Sequence, residues 1–94
     1  MTNLLIEKED YDILKSILQK YPYKFYAYGS RVKGTARKYS DLDLCYQEDI
    51  AGYEVEEIKE QLEKSDLSFV VELVSWKSMR PFFQDNIAKD LILV

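Results

Sequence analysis

Gly29 and Ser30 close a short aromatic run, residues 24–28, and ten residues after Ser30 an Asp-x-Asp pair, Asp41 and Asp43, opens a second run. No other feature narrows the folds open to this chain as far. Residues 24–28 (KFYAY) read as a buried strand, and the glycine that ends them marks a tight turn. Ser30 suits a helix N-cap, with a short helix over residues 31–37. Residues 41–46 (DLDLCY) alternate polar and apolar at period two and read as a second strand.

The two strands carry opposite chemistries. On residues 41–46, positions i and i+2 project from one face, so Asp41 and Asp43 stand side by side while Leu42 and Leu44 turn into a core. Adjacent carboxylates raise one another's pKa unless a cation lies between them. Magnesium resolves that conflict, because it takes carboxylates together with substrate phosphate oxygens. The other half suits an anion. Exposed N–H groups at a helix start bind phosphate, Gly29 allows close approach, and the Ser30 hydroxyl donates a further bond. Gly34 supplies a backbone turn or a close approach. Arg31, Lys33, Arg37 and Lys38 make this the most basic stretch of an acidic chain. Arg31, nearest the cradle, is the candidate for a triphosphate; the other cations read equally as a solvated loop.

Residues 68–76 (SFVVELVSW) form a near-continuous β-branched and aromatic run, read as a strand buried on both faces. Glu72 is its one charge. An isolated carboxylate there is costly without a partner. Glu72 therefore either stands outward on an edge strand or faces the same metal site as Asp41 and Asp43, and the Asp-x-Asp pair favours the second. Three carboxylates can bind two ions, one activating a hydroxyl and one neutralising a leaving diphosphate.

The segment from Gly29 to Leu44 resembles the signature of the nucleotidyltransferase superfamily that includes DNA polymerase β. Gly29, Ser30, Asp41 and Asp43 match the G-S-x10-D-x-D pattern of its small bacterial members, the minimal nucleotidyltransferases, and Glu72 stands where these have a third acid before a final helix. The resemblance implies an α/β (α+β) nucleotidyltransferase fold, a small mixed sheet backed by helices with the site at the sheet edge. It implies Mg2+-dependent transfer of a nucleoside monophosphate, with ATP as substrate, Asp41, Asp43 and Glu72 as catalytic and metal-binding residues, and Gly29, Ser30 and Arg31 on the nucleotide. Many minimal members are antitoxins beside a HEPN-domain toxin, and some adenylylate a tyrosine of it. The third acid is aspartate in most of the family and Glu72 here, one methylene longer.

Composition bounds the rest. Residues 1–94 make a single domain, and an apolar fraction of 47% supports a real core. So short a chain leaves no acceptor domain, which favours an acceptor hydroxyl presented by a protein partner. A net charge of −4 argues against stable nucleic-acid binding. One cysteine, Cys45, excludes an internal disulfide and fits a reducing cytoplasm. The absence of histidine excludes a histidine base or zinc site. No run is long enough to span a bilayer.

Periodicity predicts helices over residues 7–20 (Leu14, Ile17, Leu18 and Tyr21 on one face), 52–65 (Val55, Ile58, Leu62) and 77–89 (Met79, Phe82, Phe83, Ile87), with Pro81 in the first turn of the last. Residues 91–94 are an apolar tail that suits an added edge strand or a partner contact. Three functions stay open on these grounds: AMP transfer from ATP to a toxin hydroxyl, neutralisation of a toxin by binding alone, and transfer to a small hydroxyl compound.

Overall fold

A computed structural model describes residues 4–94. The element order is α1 (Lys8–Leu18), β1 (Phe25–Tyr28), α2 (Ser30–Lys33), β2 (Leu42–Tyr46), α3 (Gly52–Glu63), β3 (Val71–Ser75), a 3-10 turn at Trp76–Ser78, α4 (Pro81–Ile87), a second 3-10 turn at Ala88–Asp90, and β4 (Ile92–Leu93). One four-stranded sheet runs in the order β3-β2-β1-β4. β1 lies antiparallel to both β2 and β4, whereas β2 and β3 are parallel. A parallel pair needs a crossover connection, and α3 is that connection.

The period-two pattern of the strands decides what each sheet face carries. Phe25, Ala27, Leu42, Leu44, Tyr46 and Leu73 pack with the stripes of α1 (Leu14, Ile17, Leu18) and α3 (Val55, Ile58, Leu62) into the main core. Tyr28 and Cys45 point to the other face, where a smaller cluster forms around Ile87 with Trp76, Met79 and Leu91. The helices over residues 7–20 and 52–65 thus bury the stripes their periodicity predicts, except for Tyr21, which lies beyond the end of α1 and is only half-buried. α1 and α3 back one face; the opposite face is only partly covered, by α4. Among the described residues no helix is long and apolar enough to cross a membrane.

Three expectations change. β3 is an edge strand, not one buried on both faces, and its Glu72 is exposed. Residues 77–89 do not form one helix. Pro81 forces the residue before it into extended backbone, and Arg80 lies at φ −69, ψ 146, separating the 3-10 turn from α4. Of the stripe assigned to that helix, Ile87 is buried, while Phe82 is 77% exposed. Finally, Ser30 is the first residue of α2 rather than its cap; Gly29 holds the cap position, and the helix stops at Lys33 because Gly34 turns left-handed at φ 79. Nothing lies within 4 Å of where a Gly34 side chain would point, so Gly34 serves the turn and not a close approach.

Candidate active site

The site grows from the turn that joins β1 to α2. Gly29 sits at φ 84, ψ −152, backbone that side-chain-bearing residues scarcely populate. A Cβ on it would lie 2.5 Å from Oδ2 of Asp43. The missing side chain makes room for that carboxylate, because Tyr28 and Asp43 are direct register partners on β1 and β2. The turn also aims α2 so that its first N–H groups, those of Ser30 and Arg31, have no backbone acceptor among the described residues. The Ser30 hydroxyl is likewise unbonded among them.

A cleft of about 830 Å3 opens here. Tyr28, Gly29, Ser30, Lys33, Thr35 and Asp43 form one wall, and Phe83, Asn86, Ile87, Lys89 and Asp90 form the other. Phe83 meets Tyr28 edge to face, ring centroids 5.9 Å apart, and so fixes the spacing of the walls. The second wall was not legible in the sequence. Lys89 adds a cation to the cleft that Ser30 lines, but it arrives through the return of the chain after β3, and no local pattern couples residue 89 to residue 30.

The carboxylates meet across the sheet. Asp43 and Glu72 are register partners on the parallel strands β2 and β3, so their side chains leave the same face on neighbouring strands, about 4.8 Å apart at the backbone. Asp41, exposed, stands two residues before Asp43 and shares its parity. Burial pushes the Asp43 carboxyl above its usual range, and the charges of Asp41 and Glu72 push it further. Burial likewise raises the Tyr28 hydroxyl to about 12, with Asp43, Cys45 and Glu72 adding to it. Cys45 is fully buried beneath them, and burial raises its thiol to about 11, which leaves it a packing residue.

A cation fits this donor set by its chemistry. Three carboxylates crowd one another, and among the described residues no lysine or arginine pairs with any of them. As they stand, no three His, Cys, Asp or Glu side chains among the described residues converge tightly enough to hold a metal ion. Asp41 and Glu72 are both exposed and unbonded among those residues, so their rotamers are free to close on an ion. All the donors are hard oxygens, the set a magnesium ion takes.

Arg31 does not line the cleft. It is 5% exposed, and its guanidinium donates to the carbonyls of Leu5 (2.8 Å), Lys38 (3.1 Å) and Ser40 (2.7 Å from Nη2 and 3.0 Å from Nε) while lying 4.1 Å over the Phe69 ring. In return the Arg31 carbonyl accepts from the Leu5 N–H at 2.7 Å. Its work is to pin the loop that leads into Asp41. Geometry therefore gathers Gly29, Ser30 and Asp43 in one cleft, sets Glu72 and Asp41 beside it, and turns Arg31 away.

Known proteins resemble this chain along nearly its whole length. The family model described as "Polymerase beta, Nucleotidyltransferase" matches residues 7–94. The chain is 38% identical to the probable protein adenylyltransferase MntA of Haemophilus influenzae, over 95% of this chain and 82% of that protein. It also superposes with a TM-score of 0.65, at 20% identity, on a chain of a crystal structure of a toxin-antitoxin with AMP-PNP, covering 94% of this chain and 72% of that one.

Proposed function

The chain belongs to the polymerase β nucleotidyltransferase family, and from that premise we propose that it transfers AMP from ATP to a hydroxyl, a tyrosine, of a HEPN-type toxin partner and so acts as its antitoxin. The observation that carries this reading is the pairing of the Gly29 turn with the Asp43 carboxylate beside it. One element receives phosphate and the other receives the ion that accompanies it. The likeness to a protein named as an adenylyltransferase supports AMP as the transferred group and a protein as the acceptor.

The residues divide the work. Gly29 and Ser30 hold the triphosphate through uncommitted N–H groups and the serine hydroxyl. Lys33 and Lys89, both lining the cleft, balance its charge. Asp41, Asp43 and Glu72 would hold one or two magnesium ions. Bound magnesium would lower the charge of the leaving diphosphate and the pKa of the attacking hydroxyl. The acceptor oxygen bonds to the α-phosphorus, the bond from that phosphorus to the bridging oxygen breaks, and diphosphate leaves. With no histidine in the chain, the acceptor proton goes to a carboxylate. Asp41 and Glu72 are both exposed, and Glu72, on the edge strand, is the one we assign to the incoming hydroxyl.

The test is intact mass spectrometry of the protein encoded beside this chain, co-expressed with wild type or with Asp41→Asn plus Asp43→Asn. Gain of AMP-sized mass with wild type alone is the expected result. A stable complex with both versions and no mass gain would replace this reading with neutralisation by binding, which the exposed Phe82 and Leu93 favour as contact residues.

A further inference from the structure

The outer edge of β3 is unpaired. The Leu42 N–H donates to the Val70 carbonyl at 2.9 Å. Alternation then points the backbone groups of Val70, Glu72 and Val74 inward to β2, and those of Val71 and Leu73 outward. Among the described residues nothing bonds the Val71 or Leu73 backbone from the outer side. These two open positions flank Glu72. Proteins protect such edges with charged side chains, lysine above all, with proline or with a bulge. The stretch Val70-Val71-Glu72-Leu73 has Glu72 as its one charge and neither lysine nor proline, and Val70 is 61% exposed.

A groove of about 650 Å3 follows this edge, with Leu62 and Leu67 in its floor and Lys59, Glu63 and Glu72 among its polar residues. Lys59 is taken up by Glu56 at 3.5 Å, so Glu63 and Glu72 leave the groove net negative. Glu72 lines the groove and is the register partner of Asp43, which lines the cleft, so this one pair links the two.

We propose that this edge docks the acceptor: an extended, basic, hydroxyl-bearing segment of the partner protein adds to the sheet beside β3, with its hydroxyl residue opposite Glu72. This rests on the reading of the chain as a transferase acting on a protein hydroxyl. In an antiparallel addition the residue opposite Glu72 forms a non-hydrogen-bonded pair, with backbones about 4.5 Å apart, and its side chain rises on the face that carries Asp43 and Glu72. Its two neighbours exchange backbone bonds with Val71 and Leu73 and point their side chains towards Leu62 and Leu67. Basic residues farther out meet Glu63. Backbone bonding thus supplies affinity, and the alternating side chains select a hydroxyl flanked by apolar residues within a basic segment.

The test uses the full chain and a probe peptide, Arg-Lys-Val-Tyr-Val-Lys-Arg, plain or N-methylated on both valines. By NMR, the amides of Val71 and Leu73 exchange fast in the free chain and slow by about ten-fold or more with the plain peptide, but not with the methylated one. With ATP and magnesium the plain peptide gains AMP. Val71→Pro removes an outward N–H, a substitution an edge tolerates, and lowers kcat/KM for the peptide by about ten-fold or more while ATP affinity stays within about two-fold. Fast exchange at both amides under millimolar peptide overturns the docking site; if the partner protein still gains AMP, the transferase reading survives it. Protection that grows with the concentration of the chain alone means a second copy fills the edge, and also overturns the proposal. AMP on neither peptide nor partner removes the transferase reading and the docking site together.

Discussion

Gly29 and Asp43 constrain each other, and single-residue changes at either position have opposite effects on stability. Gly29→Ala must hold a side chain in backbone reserved for glycine, a cost of about 1–3 kcal/mol. It also drives a Cβ against the Asp43 carboxylate, 2.5 Å away. The expected result is a melting temperature lower by roughly 4–8 °C per kcal/mol, with transfer reduced further than stability explains, measured by calorimetry and by AMP incorporation. Asp43→Asn acts the other way. The Asp43 pKa is raised on folding, so its neutral form is favoured by the native state, and ionisation costs stability as pH climbs from the unfolded value of 3.8 through the higher folded one. Above that window Asp43→Asn melts higher than wild type and transfers no AMP; below it the two converge. Magnesium raises the wild-type melting temperature and leaves Asp43→Asn largely unmoved. Gly29, Ser30, Asp41 and Asp43 were legible because their spacing is local. The structural task of Arg31 was not, because its partners are backbone carbonyls at positions 5, 38 and 40, and backbone leaves no side-chain signature.

Elements differ in how far their own periodicity determines them. α3 was legible because Val55, Ile58 and Leu62 form one buried face while Glu56, Glu57, Glu60 and Glu63 stay exposed. α4 was not: its apolar stripe says that a face exists but not that anything covers it, and Phe82 stands in water. β3 read as doubly buried because valine and leucine suit either situation, and only strand order reveals an edge. Between α1 and β3 a further tie was missed. Asp10 accepts from the N–H of Ser68 at 3.1 Å and from its hydroxyl at 2.7 Å, holding the entry to β3. The loop between α2 and β2 depends most on one side chain. Arg31→Met keeps the volume and removes every donor, leaving the carbonyls of Leu5, Lys38 and Ser40 short of their partner, at a cost of about 2–3 kcal/mol. Amide exchange of residues 36–41 is expected to quicken while α3 stays protected, and the magnesium needed for half-maximal transfer to rise.

Across the whole molecule, stability rests on the interior and not on surface charge. The ion pairs among the described residues, Lys8–Asp12, Lys59–Glu56, Lys64–Glu60 and Lys77–Asp49, are solvent-exposed and contribute little. Raising salt from about 0.1 to about 0.5 M is expected to shift the melting temperature only slightly, whereas Leu44→Ala, truncating a fully buried side chain, costs about 2–5 kcal/mol. With a net charge of −4, the chain is expected to pass over immobilised single-stranded DNA without salt-sensitive retention. The parallel pairing of β2 with β3 has a consequence in time. β1 and β2 are close in sequence and can pair early, bringing Gly29, Asp41 and Asp43 together, but Glu72 joins Asp43 only after residues 47–70 have been made, coiled into α3 and laid across the sheet. Contacts of such long sequence separation form late. A chain still emerging from the ribosome therefore sets the Gly29 turn beside Asp43 before Glu72 can join it, and β4, which pairs with Tyr26 and Ala27 of β1, closes the sheet later still.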